Sequence, residues 1–216
     1  MQKKLSPFNP VFAFLEKVFN LMLANVLFLL CSLPVITLGA SLAGMLQVVQ
    51  DQFYQEDQPV IRRFFRGFRK NFRQATLGWL MILLFLGAMG LNVLLVMTFA
   101  EGWISQLLYI LLGLLTAVVL SLGSYLFPLM VRYDNSFHTH LVNSMILSVV
   151  KLPRTLIMLL LNTLIFWIPF FSMKVMVATM VFWMLLGFAF IAYSDMRLLK
   201  PVFRQMEEED TVDLMT

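Results

Sequence analysis

The residues best suited to chemistry lie between Arg62 and Arg73, where six cationic side chains occur without an acidic one. The phenylalanines of this stretch recur at helical spacing, and the cations fill the opposite face. Guanidinium groups pair with lipid phosphate, and aromatic rings enter the acyl boundary of a bilayer. The stretch predicts an amphipathic helix that contacts lipid or, alternatively, docks a cytoplasmic partner. The predicted contact residues are Arg62, Arg63, Arg66, Arg69, Lys70, Arg73, Phe64, Phe65, Phe68 and Phe72.

Catalytic and metal-binding patterns are missing from the sequence. It contains no Walker A, G-x-S-x-G or H-E-x-x-H motif. His138 and His140, the only histidines, are two residues apart and face different sides of a helix, with only Asp134 near them. Cys31 is the only cysteine, so neither an intramolecular disulfide nor a cysteine metal cluster can form. We therefore expect no enzymatic activity, no cofactor and no metal site.

Polar side chains inside the apolar segments are the other candidates, because burying them in hydrocarbon is costly. Amides and hydroxyls could line a cavity for a sugar, but hydrogen bonding between helices is the simpler interpretation. Asp195, beside Arg197 at the end of the last apolar segment, is expected to form an interfacial ion pair or a helix cap. The candidate intramembrane polar site comprises Asn25, Asn92, Asn162, Ser121 and Ser124.

The composition requires that membrane helices position these residues. The 216 residues are 60% hydrophobic and 13% charged, whereas a soluble domain is about 45–50% apolar and 25% charged. A soluble protein of this size could not bury so much apolar surface. The net charge of +4 does not indicate nucleic-acid binding, because the cations flank apolar segments. We predict an all-α, polytopic transmembrane helix bundle that forms a single domain over residues 1–216.

The apolar segments predict six membrane spans. Most have about the 20 residues that a bilayer requires, but the second is short. Gly39, Ala40, Ala43 and Gly44 in that segment would allow a neighbouring helix to approach closely. The alternative is five spans, with a re-entrant or broken first segment. The predicted spans are 11–33, 37–54, 75–99, 104–131, 152–171 and 175–195.

Cationic residues set the predicted orientation. They concentrate at 51–74, at 132–154 and after Arg197, and the positive-inside rule places these segments in the cytoplasm. With six spans both termini are cytoplasmic, and 15 of the 16 Lys and Arg residues face inward, Lys174 being the exception. The other inner elements are predicted as amphipathic segments over 59–74 and 136–150 and a disordered tail over about 205–216.

The run Leu33-Pro34-Val35-Ile36-Thr37-Leu38-Gly39-Ala40-Ser41, which follows an apolar helix containing Asn25, resembles the YesL family of bacterial membrane proteins. Further likeness lies in Asn71-Phe72-Arg73-Gln74-Ala75, in Arg132-Tyr133 and in Leu152-Pro153-Arg154-Thr155. The resemblance extends from about residue 20 to residue 203. The residues of the family's motif turn are Pro34, Thr37 and Gly39.

The YesL resemblance implies a membrane protein of unknown function, whose genes are often found with carbohydrate ABC importers, polysaccharide-degrading enzymes and sugar-sensing kinases in Gram-positive bacteria. It implies a non-enzymatic accessory or regulatory component of oligosaccharide uptake in the bacterial cell membrane. The expected partners are the lipid bilayer and a carbohydrate ABC permease or sensor kinase. The alternative is a small-solute transporter or channel, which predicts a water-filled cavity lined by Asn92, Asn162, Ser121 and Ser124.

Overall fold

The computed structural model describes residues 10–53 and 58–213, and within these ranges the chain forms helices and no strand. Three-residue and four-residue 3₁₀ turns lie at Val35–Thr37 and Ile168–Phe171, and a π-helical turn lies at Trp183–Gly187. The helices are α1 (Pro10–Cys31), α2 (Leu38–Phe53), α3 (Val60–Phe99), α4 (Gly102–Arg132), α5 (Phe137–Val150), α6 (Leu152–Trp167), α7 (Met173–Phe182) and α8 (Phe188–Asp213).

Helix α2 is the centre of the packed core, in contact with α1, α3, α4 and α8. Its 16 residues rise roughly 24 Å, less than the ~30 Å of a hydrocarbon layer. Within the described residues, five helices are long and apolar enough to cross a membrane: α1, α3, α4, α6 with its 3₁₀ turn, and the continuous α7–α8. The predicted membrane helix bundle is confirmed, and helix length favours five spans over six.

The Arg/Phe stretch is the first half of α3, not a separate surface helix. α3 contains no proline and runs without a break from Val60 to Phe99, so the predicted amphipathic segment 59–74 and the predicted span 75–99 belong to one helix. Phe64 is fully buried next to Gly44 of α2, and Arg63 is also buried. The aromatic face of the stretch therefore belongs partly to the protein core, because Phe64 packs against α2 and not against lipid.

Glycines let α2 and α3 approach each other closely. A Cβ atom on Gly67 would lie 2.5 Å from the Gln47 Cβ, and one on Gly44 would lie 2.9 Å from the Phe64 carbonyl oxygen. A Cβ on Gly39 would collide with the Ala75 carbonyl oxygen. The close helix approach predicted from Gly39 and Gly44 is thus present, and the partner is α3.

Burial is concentrated in one half of the described molecule. After Gly78, α3 has one buried residue, Val96; α4 has none before Ser121, α6 has none after Met158, and α7 has none. These sparsely packed segments are strongly apolar. We call them the apolar half, and we call the part around α2 the packed half. The apolar half needs lipid or another protein to cover it.

Polar side chains bring the basic segments together at the end of the packed half, which we call the basic end. The last turns of α2, the first turns of α3, the α4–α5 loop, the α5–α6 junction and the end of α8 meet there. The contacts are Arg66–Asp51 (2.6 Å), Lys70–Asp134 (2.7 Å), Arg132–Glu207 (2.6 Å) and Lys151–Gln205 (3.1 Å). The predicted clustering of the three cationic segments on one side is therefore present in the fold.

The structure also bears on two other predicted segments, the amphipathic segment 136–150 and the disordered tail. The amphipathic segment 136–150 forms α5, whose N-cap Ser136 Oγ accepts from the Thr139 N–H at 3.2 Å. The tail predicted to be disordered from about 205 is helical through Asp213, so that prediction is wrong for 205–213. Glu207 is held by its ion pair with Arg132. Residues 214–216 lie outside the described part of the chain.

Replacement of Gly39 by alanine should destabilise the protein by about 1–3 kcal/mol, because the new methyl group meets backbone that cannot move aside. Gly90→Ala is the matched control. Nothing lies within 4 Å of its Cβ position, so the loss of glycine freedom should leave stability unchanged or raise it by up to about 1 kcal/mol. Thermal unfolding midpoints in mild detergent measure both. Equal midpoints for the two variants would contradict the glycine contact.

Candidate functional site

The structure separates the five residues of the predicted intramembrane polar site. Asn92 lies on the exposed surface of α3, where its Nδ2 donates to a carbonyl of its own helix at 2.8 Å. The Ser121 and Ser124 hydroxyls likewise donate to carbonyls within α4, at 2.7 Å and 3.0 Å. Only Asn25 and Asn162 reach another helix. The predicted cavity that combines Asn92, Asn162 and the two serines is not formed.

Asn25 is fully buried and binds the π turn of the last long helix. Its Nδ2 donates to the carbonyls of Trp183 (3.1 Å) and Met184 (2.9 Å), and its Oδ1 accepts from the Ala189 N–H at 2.9 Å. A π turn shifts the backbone pairing by one residue and leaves groups at its ends without helical partners. Since hydrocarbon offers no water to replace them, one amide from α1 supplies the missing partners.

The family motif turn closes the hairpin between α1 and α2. Thr37 Oγ1 lies 2.7 Å from the Cys31 carbonyl oxygen and 2.8 Å from that of Pro34, both of which can accept its proton. Trp79 Nε1 of α3 donates to the Val35 carbonyl at 2.8 Å. The bond to Cys31 satisfies a carbonyl that the end of α1 leaves free, and the bond from Trp79 fixes α3 against the turn.

A second motif from the sequence also satisfies backbone at a helix junction. Thr155 Oγ1 donates to the Ser148 carbonyl at 2.9 Å, across the break between α5 and α6. The Tyr125 hydroxyl of α4 lies 2.9 Å from the same Oγ1. One threonine thus ties three helices together, which gives the Leu152–Thr155 run a structural role.

Asn162 and Asp195 form the polar contact between α6 and α8. Asn162 Nδ2 donates to Asp195 Oδ2 at 3.0 Å. Asp195 Oδ1 and Asn162 Oδ1 are both buried and have no hydrogen-bond partner within 10–53 and 58–213. Arg197 is exposed, and the expected ion pair with Asp195 is not formed. Residues two apart on a helix face different directions, which explains the error.

Asp195 also lines a cleft of about 240 Å³ between α1, α2, α3, α4 and α8. The cleft is almost entirely apolar, with Ser124 as another polar lining residue. Sequence reasoning assigned Asp195 to the interface and missed this environment. The signal that could have found it is its isolation, since it is the only acidic residue between Met173 and Met206.

The predicted lipid or partner contacts of α3 differ in exposure. Arg62, Arg66 and Arg69 line an open groove of about 590 Å³ along the helix, although Arg66 also pairs with Asp51. An anion could enter this groove and meet these three guanidinium groups. The exposed members are Arg62, Arg69, Lys70, Phe72 and Arg73, the half-buried members are Phe65, Arg66 and Phe68, and the buried members are Arg63 and Phe64.

The two histidines occupy different environments, as their spacing predicts. His138 is exposed, whereas His140 is buried in α5 and its Nδ1 has no hydrogen-bond partner among the described residues. Burial lowers the pKa of His140 below its usual value, although the Asn135 backbone and the Asp134 carboxylate act in the opposite direction. In the described ranges, no group of three His, Cys, Asp or Glu side chains could hold a metal ion.

These features define the class of the protein: an all-α membrane protein whose apolar helices extend from a packed, basic end. Residues 21–93 match the model of a family described as "Protein of unknown function, DUF624". This is the domain of YesL-type proteins, so the chain carries that domain and the resemblance drawn from the sequence is confirmed. The match covers the second half of α1, all of α2 and most of α3. No curated protein and no solved structure matches the chain.

Asn25→Leu should destabilise the protein by roughly 2–4 kcal/mol, because two carbonyls and one N–H of the π turn lose their partner in a buried site. Asn92→Leu makes the same chemical change on the exposed face of α3 and should leave stability unchanged or slightly raised. Thermal unfolding of the two variants in the same detergent is the comparison. A larger loss for Asn92→Leu would overturn the assignment of the two amides.

Stability should fall as the pH is lowered from about 7 to 5, in part because of His140. Its pKa is lowered in the folded protein, so the unfolded chain takes up the proton first, near the usual histidine value of about 6.5. The thermal midpoint should therefore drop less over this range in His140→Gln than in the parent protein. His138→Gln, at an exposed position, should keep the parent's full pH dependence. If the parent and both variants show the same pH dependence, protonation of His140 does not contribute to the loss of stability.

Proposed function

We propose that the protein is a non-enzymatic accessory or regulatory component of oligosaccharide uptake, working beside an ABC importer in the bacterial cell membrane. The observation that carries a lateral role is the apolar half. Its helical segments have almost no buried residues, which suits contact with the spans of another membrane protein as well as with lipid. The link to carbohydrate comes from the YesL resemblance.

The interior supports an accessory role over a sugar pathway. Sugars are bound through many hydrogen bonds, and a site for them requires several polar side chains facing one cavity. The cleft beside Asp195 is almost entirely apolar, and Asn92 lies outside it on the exposed surface of α3. A protein built this way assists an importer by contact instead of carrying the sugar itself.

The basic end faces the cytoplasm in this proposal, and both termini lie on that side. The positive-inside rule supports the assignment of the cationic segments. The α1–α2 hairpin supports the N-terminal side, because Gln52 Nε2 at the end of α2 donates to the Lys17 carbonyl near the start of α1, at 3.0 Å. The end of α8 reaches the same region through Arg132 and Glu207. α2 thus returns the chain to the side on which α1 begins, although its 16 residues rise less than the thickness of a hydrocarbon layer.

The exposed cations of α3 supply a second contact in the same proposal. Arg62 and Arg69 project from the groove at the basic end, where anionic headgroups and the cytoplasmic loops of an importer are both within reach. A chain held at two places, laterally by the apolar half and at the leaflet by this groove, would have a fixed orientation beside its partner.

A small-solute transporter is the second candidate, and Asp195 is the observation that favours it. A buried carboxyl group beside a cleft is a common feature of proteins that carry ions or protons. Flux into liposomes that is lost on Asp195→Asn would support this alternative over the accessory role.

Co-purification in mild detergent tests the accessory role. A carbohydrate ABC permease, its solute-binding protein or a sensor kinase should be enriched with the tagged protein over an unrelated membrane protein of similar size. The double variant Arg62→Gln/Arg69→Gln should reduce this enrichment several-fold if the groove contacts the partner. Arg204→Gln, an exposed cation on α8 outside the groove, is the control and should retain it. Enrichment of none of these three classes would reject the proposal.

A further inference from the structure

The cleft beside Asp195 combines one carboxyl group with aromatic walls. Its lining includes the rings of Phe28, Trp79, Phe127 and Phe188, together with Ser124 and Asp195. The Trp79 indole is held in place by its hydrogen bond to the α1–α2 turn. Aromatic faces and a carboxylate both attract cations, most strongly when the cation is dehydrated.

Asp195 lacks a positively charged partner within the described residues. Its one hydrogen bond comes from the neutral amide of Asn162, and its Oδ1 accepts from no donor. The Asn162 Oδ1 is also a buried acceptor without a donor. Both unmet groups are hydrogen-bond acceptors, so the complement that this pair lacks is a donor or a positive charge. Leaving a buried carboxylate uncompensated costs free energy, and a cation relieves that cost.

The shape of the cleft restricts the kind of cation. A volume of about 240 Å³ with almost entirely apolar walls suits a small organic body more than a hydrated metal ion, which would need several oxygen ligands. Asp195 is one of the residues that line the cleft, and its Oδ1 is buried, so an ammonium head would approach the carboxyl from the side of Oδ2 while its apolar body contacts the rings. Recognition of quaternary ammonium groups by aromatic rings follows the same physics.

The geometry points to a binding site for a small organic ammonium ion in this cleft, in which Asp195 pairs with the charge and Phe28, Trp79, Phe127 and Phe188 surround the apolar body. Asn162 is a positioning residue, because its amide orients the carboxyl from α6 and does not line the cleft. The site is independent of the accessory role proposed above and concerns a ligand of different chemistry from a sugar.

Calorimetric titration of the full chain in nanodiscs tests the site, with benzyltrimethylammonium as the probe and empty nanodiscs as the blank. Neopentylbenzene, which has the same shape without the charge, is the matched neutral ligand. The cation should bind, and the neutral compound should bind at least about tenfold more weakly, since an interaction with a charged group is lost. This comparison uses the unaltered protein and needs no variant to fold.

Variants then locate the binding. Asp195→Asn should weaken the cation about tenfold or more and leave the weak binding of the neutral compound unchanged. Asp134→Asn removes an exposed carboxylate at the basic end and should have no effect on either ligand. Any of three results would overturn the site: no binding of the cation at millimolar concentration, equal binding of cation and neutral compound, or cation binding that survives Asp195→Asn.

Discussion

The close contact between α2 and α3 is the interaction on which the rest of the structure depends. Gly39, Gly44 and Gly67 carry no side chains that would hold the two helices apart, so α3 approaches α2 closely over residues 39–47. In a membrane the hydrophobic effect does little to bring helices together, and close packing has to do so instead. Because α2 packs closely against α3, the helices α1, α4 and α8 can pack around this pair and bury a hydrophobic core.

Irregular backbone is tolerated in this fold because specific side chains complete it. The bundle has a hairpin turn at Val35–Thr37, a junction between α5 and α6 and a π turn at Trp183–Gly187. Each is matched by one polar side chain: Thr37, Thr155 and Asn25 respectively. Lipid cannot hydrogen-bond to free carbonyls, so these residues determine where helices can bend or break. Asn25, one of the polar residues that first suggested a substrate site, therefore has a structural role.

The sequence predicted the helical membrane class well, because hydrophobic length and the distribution of cations depend little on tertiary contacts. It failed where packing decides. The period of the Arg/Phe stretch predicts a two-faced helix, but it cannot say whether protein or lipid covers Phe64. Asn25 and Asn92 look equivalent in the sequence, yet one lies in the core and the other on the surface. Likewise, Asp195 was assigned to Arg197 by proximity in sequence, whereas its partner, Asn162, lies on another helix.

The cost of placing a carboxyl group within the bundle bears on the role of Asp195. A carboxyl group in the bundle interior lowers stability unless something compensates it, and replacing it with an apolar residue would usually be neutral or favourable. The hairpin turn, the α5–α6 junction and the π turn are completed by neutral groups, two threonines and an asparagine, which satisfy backbone at lower cost. Asn162 could have paired with a second amide equally well. The use of a charged group against an aromatic cleft, without an ion pair among the described residues, is therefore better explained by a ligand than by folding.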